Sequence, residues 1–380
     1  MSKKKIMIPM SGFFPGRKYG GPPVSVDNFS SLLKEYEVFI VTTNHDIDEL
    51  TPYDGVHDGW NDRGNCKVLY LPDNLYTYHT FEKIVNEVGP DCIYLQGLFQ
   101  SCVLPILRLS IKYNIKVLLA PRGELCSGAF DKQYKKIPYI IFLRTMGLLR
   151  NTQFQSTSDD ETKAIKKYLG VKDTNVHFLS NIPSIPKKEY VRDVKVSGVA
   201  KFIFLSRIVP KKNLKTALTF FNDIRGDVSF DIYGPKEDEK YWQECMTVIS
   251  TLPRNIQVQY KGLVSHDMVH ETFSKYDALV FPTFSENYGH VIAESLLSGC
   301  SVIVSDQTPW TDIQSSKCGW AIPLTKPKDF SKAIQCIVDM SNEQLISLRL
   351  KISDYLKLKM KLDLLKNAYK NAIENGLDNV

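Results

Sequence analysis

A single stretch, from Ala278 to Ser305, restricts this chain to one class of fold. It opens with the apolar run ALVF at 278–281, passes through a turn-rich loop to Tyr288, and enters a helical stretch from about Gly289 to Ser298. Gly299 stops that helix, and a β-branched run at 301–305 follows. Strand, loop, helix and strand in this order make one βαβ unit, which implies a parallel sheet and an α/β protein. The loop and the helix each carry a glutamate, Glu286 and Glu294, with seven residues between them. A helix N-terminus holds unpaired N–H groups and roughly half a positive charge, so the mouth of this loop suits an anion. Helical side chains lean toward the N-terminus, which lets Glu294 reach past the first turn toward a ligand seated there.

At 380 residues the chain exceeds one typical core, and two domains are expected. Its 43% hydrophobic and 24% charged residues are those of a globular protein rather than a membrane-spanning or disordered one. No apolar run approaches the roughly 18–20 residues of a membrane span, and the start MSKKKIMIPM has too short an apolar run for a signal peptide. The expected compartment is the cytoplasm. Eight cysteines are scattered without a CxxC pair, which fits buried reduced thiols; neither a disulfide frame nor a metal site is expected. The net charge of +6 suits an anionic small molecule and an anionic lipid surface, whereas the dispersed basic residues argue against nucleic acid.

The glutamate-bearing unit reads as PxxSExYG…AE…SG, with Ser285 before Glu286, Tyr288-Gly289 in the loop and Gly299 after the helix. This resembles the Glu-x7-Glu signature of the retaining family 4 glycosyltransferases, and further similarities cover most of the chain. The resemblance implies the GT-B architecture, two doubly wound Rossmann-like α/β domains facing a central cleft. It also implies a nucleotide-sugar donor, with diphosphate on the helix end, ribose hydroxyls on Glu294 and sugar hydroxyls near Glu286. Tyr288, Gly289 and His290 would border the donor.

In the first half, Lys5–Met10 reads as a strand, followed by a loop rich in Gly and Pro, a helix from about Val24 to Glu35 and a strand at 37–42. Glycines in such a loop let the backbone approach a ligand, and the family has a Gly-Gly loop here that Gly20-Gly21 matches. Asp46-Ile47-Asp48 is a DxD, the metal motif of the other large glycosyltransferase architecture. Its place ahead of a loop rich in Asp, Gly and Asn (46–65) assigns it to solvated loop carboxylates instead. Strands at 67–71, 92–95 and 116–120 follow, with an amphipathic helix at about 80–87. Gln96 and Arg122 stand at strand ends, where α/β sheets bind ligands; similar proteins often carry His in place of Gln96 and His or Arg in place of Arg122. Both are expected on the acceptor or sugar side, and Arg122, always protonated, cannot act as a base. Lys132–Arg150 mixes basic clusters with aromatic and aliphatic residues. It reads first as a helix packed on the sheet with solvated lysines, and second as a surface resting on anionic lipid. Ser158-Asp159-Asp160-Glu161 fits a capping box.

Asn181-Ile182-Pro183 begins a proline-marked hinge, and a second α/β series starts with the strand 201–205. The expected domains are 1–182, 183–355 and a C-terminal helical segment, 356–380, that crosses back to the first domain. Arg207 and Lys212 follow the first strand of the second half and resemble the family's donor-diphosphate grip, with Lys211 as the close alternative to Lys212. Exposed cations at a strand's carboxyl end can stabilise charge building on a leaving phosphate. Gly262, in Lys261-Gly262-Leu263-Val264, resembles the loop that meets the nucleotide base. Strands are also expected at 230–234, 256–260 and 320–323, and 341–374 is helical by pattern.

The resemblance implies a retaining glycosyltransferase that needs no metal or other cofactor. It would use a UDP- or GDP-sugar and a glycan or lipid-linked acceptor, in capsule, O-antigen or other lipopolysaccharide synthesis, with peripheral contact at the inner membrane. Arg207, Lys212 and Glu286 are the expected catalytic residues. Two other functions fit the same fold: a nucleotide-sugar epimerase or hydrolase, and a non-catalytic sugar-binding assembly subunit.

Overall fold

The computed structural model describes residues 3–16, 18–126 and 133–374. The chain divides into two compact units, Met1–Ile182 together with Leu362–Val380, and Pro183–Lys361. Lys132, at the start of the basic–aromatic stretch, and 375–380, at the end of the segment expected to cross back, lie outside the described residues.

The first unit runs β1 (Lys5–Pro9), α1 (Gly21–Leu32), β2 (Glu37–Thr43), β3 (Trp60–Asp62), β4 (Lys67–Leu71), α2 (Tyr78–Val88), β5 (Cys92–Gln96), α3 (Val103–Lys112), β6 (Lys116–Ala120), α4 (Gln133–Thr145), β7 (Thr152–Ser156), α5 (Asp159–Leu169) and β8 (Val176–Phe178). Its sheet has the order β3-β4-β2-β1-β5-β6-β7-β8, parallel except for β3, which pairs antiparallel with β4. The side-chain period of two splits each central strand between two cores. Ile6 and Ile8 point to the core beneath α1, while Met7 points to the one beneath α2, α3, α4 and α5.

The second unit runs β9 (Val199–Leu205), α6 (Leu214–Thr219), β10 (Asp227–Tyr233), α7 (Glu239–Ile249), β11 (Ile256–Gly262), α8 (Val269–Ser274), β12 (Ala278–Phe281), α9 (His290–Leu297), β13 (Ser301–Ser305), β14 (Trp320–Ile322), α10 (Pro327–Asp339) and α11 (Asn342–Met360). Its six strands are all parallel, in the order β11-β10-β9-β12-β13-β14. Chain order reverses between β9 and β12, and ligands of open α/β sheets bind beyond the carboxyl ends of strands at such a switch point.

Several local expectations change. Helix α1 begins at Gly21 rather than Val24, because Pro22 and Pro23 occupy the first helical positions, where a missing N–H costs nothing. The loop 46–65 contains a strand, β3, that closes the sheet edge. Ser158 caps α5 by accepting from the Glu161 N–H at 3.2 Å, yet the box is not reciprocal. The Glu161 carboxylate instead accepts from Thr157 N at 2.8 Å and from Gly123 N at 2.6 Å. The stretch 341–374 is two helices, because Lys361 turns left-handed with φ 35°. Beyond it, α12 (Leu362–Glu374) places Tyr369, Ala372 and Ile373 in the core beneath α1. The crossing back therefore begins at Leu362 rather than at residue 356, and α11 belongs wholly to the second unit.

Candidate functional site

The switch point of the second sheet brings together two loops. One follows β9 and carries Arg207 and Lys212; the other follows β12 and carries Glu286. Two hydrogen bonds join them, one between backbones and one from a side chain: Phe284 N donates to the Lys211 carbonyl at 3.0 Å, and Asn213 Nδ2 donates to the Pro282 carbonyl at 2.9 Å. Asn213 holds φ 60°, a left-handed conformation that Asn tolerates better than most residues. On this frame Lys212 Nζ lies 2.5 Å from Glu286 Oε2, and both side chains are largely buried. The ammonium also sits over the Phe281 ring, 5.4 Å from its centre. Glu286 N donates to the Gln307 carbonyl at 3.1 Å, which ties the loop to the end of β13.

Gly289 turns the chain into α9 with φ 77° and ψ 61°, and no side chain caps the helix. A Cβ at this position would lie 3.0 Å from Ile292 Cδ1, 3.3 Å from Glu286 Cγ and 3.3 Å from Trp310 Nε1. The left-handed turn and this crowding both select glycine, so the helix end stands directly beside the Glu286 side chain. Tyr288 packs edge-on against His290, with ring centres 4.8 Å apart, and its carbonyl accepts from Trp310 Nε1 at 2.6 Å. One turn into the helix, Glu294 is buried, and burial pushes its carboxyl up to about 7. The Tyr288 phenol is also raised, first by burial and then by the nearby Glu294. A carboxyl held near neutrality at an uncapped helix end can donate or accept a hydrogen bond to a hydroxyl.

Arg207 is placed differently. Its Nη1 pairs with Glu237 Oε2 at 3.1 Å, on the loop after β10, and its side chain is 43% exposed. Gly262 ends β11 with φ 81°, and its carbonyl accepts from Gly234 N at 2.9 Å. Three residues that sequence reasoning passed over shape this region. Asn213 joins the two loops, Trp310 backs Tyr288, and Gly234 leaves room for the Ser206 carbonyl, which any Cβ there would strike. A tryptophan in the turn Thr308-Pro309-Trp310 and a glycine directly after a strand are the signals that could have marked the last two.

In the first unit, Gly20 takes φ 69° and Gly21 opens α1, which likewise has no side-chain cap. Gln96 is 1% exposed. Its oxygen accepts from Arg122 Nε at 2.9 Å. Arg122 also donates to Asn181 Oδ1 and to Tyr94 OH, and holds φ 56° within this set of contacts. Tyr94 OH reaches Gln155 Oε1 at 2.5 Å, and Gln155 Nε2 donates to Tyr369 OH at 2.9 Å. These two residues therefore belong to a polar network through the first core, with Arg122 partly accessible at its rim. Asp46 of the DxD is buried and accepts from Ile47 N at 3.0 Å and Lys18 N at 3.2 Å, the contacts of a loop anchor. Among the described residues no group of three or more His, Cys, Asp or Glu side chains is placed to hold a metal ion. His266 and His270 are four apart, but His270 is turned inward between Ser298 Oγ and Ser184 Oγ, and burial pushes it down to about 4.

Residues 186–357 match the family model described as glycosyl transferases group 1. No curated protein matches the chain by sequence. Solved structures match over nearly its full length. Sucrose-phosphate synthase from Thermosynechococcus elongatus superposes with a TM-score of 0.71 at 14% identity, covering 98% of each chain. HepE of Anabaena, solved with UDP and glucose, gives 0.73 at 11% identity, covering 98% of this chain and 100% of its own. WaaG, a glycosyltransferase involved in lipopolysaccharide biosynthesis, gives 0.66 at 11% identity, covering 97% and 99%. The likeness establishes an α/β fold of two Rossmann-like domains of the GT-B type.

Proposed function

We propose that this chain, whose second half is a group 1 glycosyltransferase domain in a GT-B fold, is a retaining transferase. It moves a sugar from a nucleotide diphosphate donor to a glycan or lipid-linked acceptor. The observation that carries the reading is the Lys212–Glu286 pair, 2.5 Å long, beside the uncapped end of α9 with Glu294 one turn inside. An ammonium has three N–H donors, and Glu286 engages one of them. The others, with the helix end, supply the positive field that a diphosphate leaving group requires.

In this mechanism the C–O bond to the leaving phosphate loosens on the face that the acceptor approaches. Lys212, Arg207 and the Gly289 helix end take up the growing negative charge. The departing phosphate oxygen accepts the acceptor hydroxyl's proton, so neither a carboxylate nucleophile nor a metal is required. Glu286 orients Lys212 and the donor sugar, and Glu294 holds the ribose hydroxyls. Gly262 would border the base.

The HepE complex with UDP and glucose makes UDP-sugars the first donors to test, with GDP-sugars next. WaaG's part in lipopolysaccharide synthesis supports a bacterial surface polysaccharide, such as capsule or O-antigen, as the acceptor class. A thermal-shift screen of UDP-, GDP- and ADP-sugars identifies the donor, because a ligand that binds the native state raises its apparent stability. Transfer is then read from the anomeric configuration of the product. An inverted product removes the front-face mechanism, and epimer or free sugar formed from donor alone favours an epimerase or hydrolase.

A further inference from the structure

The second unit holds a groove of about 640 Å³ between the edge strand β14 and the helices α10 and α11. Small-ligand sites run to about 300–1000 Å³. Trp320, Met340 and Leu348 supply its apolar surface. Every strand of this sheet is parallel, so the loop that enters β14 lies at the end of the sheet opposite the Glu286 loop, which leaves β12. None of the residues placed at the donor side lines the groove.

The charges on the groove are two cations and one carboxylate. Lys317 and Lys351 are exposed there, and neither ammonium has a partner among the described residues. Acids close by in sequence are engaged elsewhere: Asp312 with Lys359 at 2.5 Å, Asp329 with Lys332 at 3.0 Å and Asp354 with Lys357 at 3.2 Å. Glu343 accepts from Ser341 Oγ at 2.7 Å. Asp339 borders the groove and accepts from Gln335 Nε2 through one oxygen, at 2.8 Å. Lys317 holds φ 55°, a left-handed conformation that glycine would adopt at lower cost. Two amides join them. The oxygens of Gln314 and Gln344 accept from Ala321 N at 3.3 Å and Ser341 N at 2.9 Å, which leaves each NH2 group as a donor.

An aromatic wall, two amide donors, two free ammonium groups and one acceptor carboxylate match an acidic sugar. One face of a pyranose ring is an array of C–H bonds that packs on an indole, and its hydroxyls pair with amides and with Asp339. A uronic acid adds a single carboxylate for the lysines, equal to the groove's net charge. A nucleoside diphosphate brings more charge than the two lysines offset once Asp339 opposes it. A peptide strand added to β14 is hindered, because the Gln314 side chain already occupies the Ala321 N–H.

We propose that this groove binds a glycan containing uronic acid, at a site separate from the donor pocket. The inference does not rest on the transfer reading, since its tests read binding alone. The test is calorimetry of the full chain with trigalacturonate, and with maltotriose as the neutral probe. Alkylation of Cys336, an exposed thiol on the groove, is followed in parallel by mass spectrometry. Trigalacturonate should bind and slow the alkylation, maltotriose should bind at least about tenfold more weakly, and excess UDP should not displace the acidic sugar. Lys317→Gln/Lys351→Gln should weaken binding by about tenfold or more, the loss expected on removing charged hydrogen bonds. Lys317→Gly should weaken binding while raising Tm, a combination that a merely structural lysine would not give. Lys328→Gln, at an exposed lysine of α10 outside the groove, should leave binding unchanged. Absence of trigalacturonate binding, equal binding of maltotriose, or unchanged binding by the double variant overturns the proposal. So does displacement by UDP, because the two ligands would then share one site.

Discussion

The Lys212 ammonium and the Glu286 carboxylate meet at 2.5 Å across the point where the second sheet reverses its strand order, each from a loop that the other loop holds in place. Lys212→Ala removes one of the cations placed to meet the leaving phosphate and leaves Glu286 facing a gap. Turnover should fall by about 10²–10³-fold, the usual cost of deleting one preorganised donor. Donor affinity, measured separately by calorimetry, should fall much less. A loss of affinity with turnover unchanged would show that Lys212 serves ground-state binding alone.

Arg207 offers a contrast. Its pair with Glu237 is exposed, so Arg207→Ala should change stability by no more than about 0.5 kcal/mol in a denaturant titration. Turnover should nevertheless drop. A normal rate at unchanged stability would remove Arg207 from the mechanism.

Burial raises the Glu294 carboxyl to about 7, above its value of 4.5 in an unfolded chain. Between these values the native state keeps a proton that the unfolded state has lost, so stability falls as pH rises from about 4.5 to 7 and levels off beyond. The shift corresponds to a loss of about 3 kcal/mol. Glu294→Gln should remove this contribution, matching the wild type near pH 4.5 and gaining on it by pH 8 in paired denaturation curves. Glu294→Ala should weaken donor binding, and unchanged affinity would count against a ribose contact.

Gly289→Ala should cost about 1–2 kcal/mol from the left-handed backbone alone, with a further loss from the 3.0 Å approach to Ile292. Gly262→Ala meets open space and should show only the backbone cost. If α9's end receives the donor phosphates, Gly289→Ala also lowers the thermal shift given by UDP, while a change confined to stability would separate the helix end from the ligand.

Arg122→Ala should destabilise the first unit by about 2–4 kcal/mol, because Gln96 and Asn181 are buried and lose a charged partner. Denaturant curves followed by near-ultraviolet dichroism would register it. Unchanged stability, with loss of transfer only, would instead mark Arg122 as an acceptor contact at the network's rim.

The second unit is legible in sequence because its strands are short apolar runs and its loops carry charged residues that no core would accept. ALVF, the loop with Glu286 and the glycine-marked start of α9 each announce one element. The first unit hides more. Strand β7 reads TQFQS, and two glutamines in five residues mask a strand whose Gln155 is satisfied by Tyr94, the Leu179 carbonyl and Tyr369. The contacts of Gln96 and Arg122 are hidden in the same way: a polar residue at a strand end gives no sign of whether a distant Asn181 or Tyr94 waits beside it. The break at Lys361 is silent too, since nothing in a Leu- and Lys-rich helical pattern requires one residue to turn left-handed.

That break has a consequence for the order in which the polypeptide matures. Residues 183–361 are continuous and hold every strand of their own sheet, whereas the core beneath α1 lacks Tyr369, Ala372 and Ile373 until residues 362–374 have been made. On the ribosome residues 183–361 have all their parts first, and the first unit waits with one sheet face covered by α1 but not by α12. Premature termination shortly after Lys361 would thus spare the part most recently made and cripple the part made first.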